Sequence, residues 1–148
     1  MITHAITLHA WWAWAVLHLG KRVENRSRPL PAKWVGVPVA LHAGATMGDL
    51  EAVCHCLATA RGCTGLCAAR AIHCTKNDMT VTRSAVVGVV TFTGEAGEDD
   101  PWSLTGGGFH YWRIGTVRAV EPLPCRGALG FWRLPDHVRD LLATRATT

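Results

Sequence analysis

The run SAVVGVVTFTG, residues 84 to 94, constrains the fold more than any other part of the chain. Its β-branched residues, lone interior glycine and glycine stop read as a strand, and place it at the centre of a sheet. Other segments arrange themselves around it. Residues 3–9 read as a short first strand, and the apolar stretch 10–19 as a helix ending at Gly20. WVGVPVALHAG, residues 34–44, reads as a strand near a sheet edge because it contains Pro38. Thr46-x-x-Asp49 resembles a capping box opening a helix with Leu50, Val53, Cys54 and Leu57 at helical spacing. From 62 to 77 the chain turns to Gly, Cys and Ala without a dominant period, an insertion of roughly 60–80 packed against that helix. FHYWRIGTVRAV (109–120) and RGALGFWRL (126–134) read as further strands, and Pro135 with Asp136 opens a closing helix carrying Val138, Leu141 and Leu142 on one face. Strands dominate and no alternating βαβ series exists, so the expected class is α+β, with a small mixed or barrel-like sheet. A chain of 148 residues fits one domain, 1–148.

Charge is distributed unevenly. Residues 20–34, GKRVENRSRPLPAKW, hold five cations (Lys21, Arg22, Arg26, Arg28, Lys33) against one acid, Glu24. The whole chain has 15 Lys plus Arg and 11 Asp plus Glu, so the remainder balances at ten against ten and the net +4 resides here. A local cationic excess beside Pro and Trp points to an anionic partner. If residues 21–27 are extended, Glu24 and Arg26 share a face. A carboxylate held beside a guanidinium can then accept from a base amino group while the guanidinium takes a phosphate or base acceptor. The same pair also reads as a structural ion pair on a surface turn, worth about 0–1 kcal/mol.

Arg28, Lys33 and Trp34 flank Pro29 and Pro31, a stiff cationic rim suited to a phosphate backbone, though Trp34 reads equally as a plug for the barrel. His42 ends a strand and His110 follows a triple glycine, so both are candidates to line a pocket. Trp102, between an acidic loop and the flexible GGG, is a candidate lid that stacks on a base. Each His reads otherwise as a satisfied structural residue, and Trp102 as a loop anchor.

Seven Trp against three Phe and one Tyr is unusual. Trp11, Trp12 and Trp14 cannot share one helix face, so at least one is core; Trp112 and Trp132 alternate within strands and read as packing residues. At 49% hydrophobic and 18% charged, the composition is that of an ordered globular chain. The first twenty residues lack a cationic start and a cleavage pattern and are interrupted by His18, so neither a signal peptide nor a membrane span is read there. The six cysteines are accordingly expected as free thiols in the cytoplasm. Cys63, Cys67, His73 and Cys74 suggest zinc, but no paired C-x-x-C knuckle exists, and no metal or other cofactor is expected.

Three pieces in order resemble the ASCH domain family, the activating-signal-cointegrator homology domains of the PUA-like superfamily: LHAWWAWAVLHLGKRVENRS (8–27) with its Lys-x-x-Glu-x-Arg signature, VALHAG (39–44), and YWRIGTVRAVEPLPCRGALGFWRLP (111–135). Trp11 stands where the family commonly has Pro, and Trp12 matches the family's Trp, which marks it as core. The resemblance implies a PUA-like β-barrel of about five to six strands with two to three flanking helices. It also implies a cleft lined by the Lys21, Glu24, Arg26 signature. The function implied is binding of RNA, DNA or a modified base, with Arg22, Asn25, Arg28, Lys33, Trp34, His42, Trp102 and His110 as further candidate contacts. The alternative is a small amidohydrolase acting on a nucleoside such as N4-acetylcytidine. Relatives of that kind resemble Lys-x-x-Thr, with the hydroxyl as nucleophile. Glu24 stands at that position here, so the chemistry would need water activated by Glu24 with Lys21 polarising the carbonyl.

Overall fold

Six consecutive residues of the valine-rich run, Ala85 to Val90, are buried, as a strand covered on both faces requires. The computed structural model describes residues 1–77 and 81–145, the side chains of 74–77 excepted. In chain order its elements are β1 (His4–Leu8), α1 (Ala10–His18), β2 (Val23–Arg26), a 3₁₀ turn (Ala32–Trp34), β3 (Val39–Ala43), α2 (Leu50–Arg61), α3 (Gly65–Asn77), β4 (Ala85–Glu95), β5 (His110–Pro124), β6 (Phe131–Arg133) and α4 (Asp136–Arg145). The strands form one sheet in the order β2-β5-β4-β3-β1-β6, which places β4 among the central strands. β1 runs parallel to β3; the other named pairs are antiparallel.

The sheet curls. Phe131 on the edge strand β6 stacks on Trp112 of β5, second from the opposite edge, with centroids 5.7 Å apart and planes at 3°. Phe131 also stacks on Trp34 at 4.6 Å and meets Phe92 edge-on. These rings, with Ile6, Val39, Leu41 and Ile114, fill the interior of a small half-barrel, so the fold is α+β with six strands. Its unpaired margins are β2 and β6, facing each other across a seam.

Helix α1 lies between this barrel and the α2–α3 pair. Ala10, Ala13 and Val16 pack into the barrel core, whereas Trp11, Trp14, Ala15 and Leu19 pack against Val53, Cys56, Leu57, Ala68 and Ile72 of the helices. A helix apolar nearly all round is accounted for by burial on both sides. Helix α4 closes a third cluster through Val138 and Leu142, each worth about 1.5–3 kcal/mol when buried.

Several expectations need correction. Four α-helices, not two or three, are present among the described residues. The strand expected over 34–44 begins only at Val39, because Pro38 and the 3₁₀ turn precede it; β3 is therefore interior, between β1 and β4, not near an edge. The second helix starts at Leu50, capped by Asp49 Oδ1 accepting from the Ala52 amide at 3.0 Å, so Asp49 is the cap and Thr46 is not. The stretch 62–77 contains a full helix, α3, against α2. Leu141 is exposed while its neighbours Val138 and Leu142 are buried. No helix among the described residues is long and apolar enough to cross a membrane.

Candidate functional site

The site begins at the end of α1. Gly20 takes the left-handed φ of 75° that glycine adopts without strain, and the chain turns there from helix into β2. The Lys21 amide reaches back to the Ala15 carbonyl at 3.2 Å, and the Lys21 side chain is left almost wholly buried, at 1% exposure. A buried ammonium needs a partner. Lys21 Nζ donates to Glu24 Oε2 at 3.1 Å and sits 5.1 Å from the centre of the Trp12 ring. β2 is extended, so Glu24 and Arg26 do share a face, with Arg26 Nε 3.7 Å from Glu24 Oε1. That separation is too long for a hydrogen bond. Arg26 is held instead by Nη2 donating to the Thr7 carbonyl at 2.9 Å, across the seam from β2 to β1, and by its guanidinium lying 5.7 Å from the Trp112 ring centre. Its Nε is a buried donor without a hydrogen-bond partner.

These residues line a cleft of about 340 Å³, together with Thr7, Leu8, His9, Trp12, Asn25, Leu104 and Phe109. Asn25 sets the loop that forms one wall: its Nδ2 donates to the Trp102 carbonyl and its Oδ1 accepts from the Leu104 amide. A second cavity, about 470 Å³, continues from the first through the shared residues Thr7, His9 and Arg26.

Of the residues singled out by sequence, Lys21, Glu24, Asn25 and Arg26 come together in the first cleft, and His42 lines the second. The others fall elsewhere. Arg22 caps α1, its Nη1 donating to the carbonyls of Val16 and Lys21, which answers the negative end of the helix dipole. Arg28 and Lys33 are exposed and line neither cavity; Lys33 rests over Trp34, and Trp34 itself packs between His4 and Phe131. His110 is exposed opposite Arg26 in the β2–β5 register. Trp102 is no lid: it is 4% exposed, packed in the helical core, with its amide on Asp100 Oδ1. Trp12 corrects the opposite way. Trp11 and Trp14 are the buried indoles of α1, whereas Trp12 is half-buried in the cleft wall, packed at the margin of both cores.

Sequence reasoning missed Thr7, His9, Trp12, Leu104 and Phe109 as cleft residues. Phe109 was findable: it is the aromatic after the triple glycine, and a Cβ on Gly107 would lie 2.4 Å from its ring, so the glycine run makes room for it.

His42 is 1% exposed and both ring nitrogens are engaged: Nε2 lies 2.9 Å from the Cys125 carbonyl and Nδ1 3.1 Å from Thr7 Oγ1. A carbonyl only accepts, so Nε2 carries the proton and the Thr7 hydroxyl donates to Nδ1. Thr7 Oγ1 in turn accepts from Trp132 Nε1 at 3.0 Å. Burial lowers the His42 pKa from its ordinary 6.5, opposed by the bond to Cys125.

The five described cysteines are free thiols, and no three His, Cys, Asp or Glu side chains gather as a metal site among the described residues; the Cys74 side chain lies outside them.

Neither a family model nor a curated protein matches the sequence. Solved structures do. ASCH from Zymomonas mobilis is similar with a TM-score of 0.54 at 11% identity, over 95% of this chain and 93% of that one. Two single-substitution variants of the same protein give TM-scores of 0.53 and 0.52 at 12% and 11% identity, over 95% of this chain and 96% and 94% of theirs. The chain therefore has an ASCH-type fold, the small curled barrel that the sequence resemblance implied.

Proposed function

We propose that this chain is a nucleic-acid-binding module that takes one base, ordinary or modified, into the cleft at Lys21, Glu24 and Arg26. The observation that carries this reading is a carboxylate and a guanidinium, ion-paired at 3.7 Å with the buried Nε–H left without a hydrogen-bond acceptor, in the wall of a cleft of about 340 Å³. Small-ligand sites run from about 300 to 1,000 Å³, so the space suits one nucleoside better than a length of strand. A base edge presents adjacent donors and acceptors, the complement of Glu24 beside Arg26. Trp12 and Phe109 supply aromatic surface for a base taken out of its stack.

The test is titration with cytidine, N4-acetylcytidine, adenosine, guanosine and a short single strand, followed by indole fluorescence and amide NMR. The expected outcome is saturable binding of at least one of them, with shifts at Trp12 and Asn25, weakened about tenfold by Glu24→Gln. Absence of any response in the cleft across the panel would retire the reading.

A second reading is favoured by one distance, Lys21 Nζ to Glu24 Oε2 at 3.1 Å inside the same cleft. Glu24 would take a proton from water as its oxygen bonds to the acyl carbon, Lys21 would hold the developing oxyanion, and the proton would pass to the departing amine as the C–N bond breaks. Acetate released from N4-acetylcytidine, and lost with Glu24→Gln, is the signature; no release rejects this second reading alone.

A further inference from the structure

The cavity adjoining the base cleft has a different electrostatic character. It is lined by Arg26 and Arg126 and by the hydroxyl residues Thr7, Thr46 and Ser84, with no Asp or Glu among the described residues of its wall. The base cleft, by contrast, contains Glu24. Arg26 belongs to both, so the two spaces meet at one guanidinium.

The far wall of the second cavity is the loop 126–130, and that loop is built into place. A Cβ on Gly127 would lie 2.5 Å from His42 Cε1, 2.6 Å from His42 Nδ1 and 2.7 Å from Thr7 Oγ1, so only glycine lets the backbone lie this close to the His42 ring. The preceding carbonyl, of Cys125, accepts from His42 Nε2 at 2.9 Å. Trp132 Nε1 holds Thr7 Oγ1 from the other side. With both nitrogens committed, His42 is a positioning residue: it fixes the loop that carries Arg126 and has no donor left for a ligand.

We propose that this second cavity is an anion compartment for the phosphate attached to the base in the first, so that the ligand is a nucleotide unit and not a free nucleoside. This rests on the base-binding reading for the other half of the ligand. The Arg126 guanidinium can engage a phosphate through paired N–H donors, and Arg26, with Nη2 on the Thr7 carbonyl and Nε beside Glu24, adds its Nη1 donors. The hydroxyls of Thr46 and Ser84 favour the same charge, that of Thr7 being committed to His42. The phosphate comes either from a free nucleotide or from an internal phosphodiester of a strand.

The experiment titrates the full chain, at fixed ionic strength, with cytidine, cytidine 5′-monophosphate, ribose 5-phosphate and a cytidine hexanucleotide, reading amide NMR shifts. The monophosphate is expected to bind about tenfold tighter than cytidine, and Arg126→Gln to collapse that advantage toward unity. Ribose 5-phosphate is expected to shift the amides of Gly127 to Gly130. An advantage equal in mononucleotide and hexamer assigns a terminal phosphate; a larger one in the hexamer assigns a phosphodiester. Loop shifts with ribose 5-phosphate but no cytidine binding would sink the base reading and leave the anion compartment standing. Cytidine binding with no gain from phosphate and a silent loop would overturn the compartment and spare the base reading.

Discussion

Glu24 and His42 show how much a single buried polar group decides here. Glu24 holds Lys21, the most buried cation among the described residues, and the spacing that puts it beside Arg26 was readable from a two-residue interval on an extended segment. The exits of the other cations were not readable. Arg22 is spent on the Val16 and Lys21 carbonyls and Arg26 on the Thr7 carbonyl, and a backbone acceptor leaves no mark in a count of charges. Trp12 was misplaced for a related reason: three indoles on a helix announce burial, but which one faces outward depends on where two separate cores lie. His42 gives a prediction at this scale. Above pH 6.5 its imidazole is neutral both folded and unfolded, so its contribution to stability is complete. As pH falls below 6.5 the unfolded chain takes up the proton first, and stability is lost until the lowered folded value is passed. His18, also lowered by burial, acts in the same direction. Urea midpoints should therefore fall as pH drops below 6.5, and His42→Gln should flatten that slope.

Among the elements, the strongest sequence signals were those that repeat: β4 by its valines, α1 by its continuous apolar run, β5 by alternation. Helix α3 buries only Ala68 and Ile72 among its described side chains, four residues apart, and so small an apolar stripe cannot be told from a loop by periodicity. β3 was misjudged because a proline was counted inside a strand that starts one residue after it. Gly88, the interior glycine of β4, proves to mark a register shift in the β4–β5 ladder. A Cβ there would meet the Arg118 carbonyl oxygen at 2.9 Å and Leu17 Cδ2 at 3.0 Å. Gly88→Ala should thus destabilise the fold by about 1–3 kcal/mol, with unfolding in urea as the measurement, because backbone on one side and α1 on the other leave little room to yield.

The whole molecule shows why a cationic segment need not make a cationic surface. If all five cations of residues 20–34 met phosphates of a single strand, the logarithm of affinity would fall with the logarithm of salt at a slope of about −3.5; if only Arg26 and Arg126 do so, the slope is about −1.4. The smaller slope is expected for single-stranded binding, measured between low and physiological salt. The barrel class was legible because strands outnumber helices without βαβ alternation. The far wall of the cleft was not, since Thr7, His9, Leu104 and Phe109 reach it only where the curled sheet fails to meet itself.

There one guanidinium stands in for a missing row of backbone rungs, tying the second strand of the chain to the first across a gap no described ladder spans. A guest lodged beside that tie competes with, or reinforces, a hydrogen bond that girdles the opening. Occupancy and hoop tension then become one variable, and a guest can announce itself through the stiffness of the ring as surely as through its contacts.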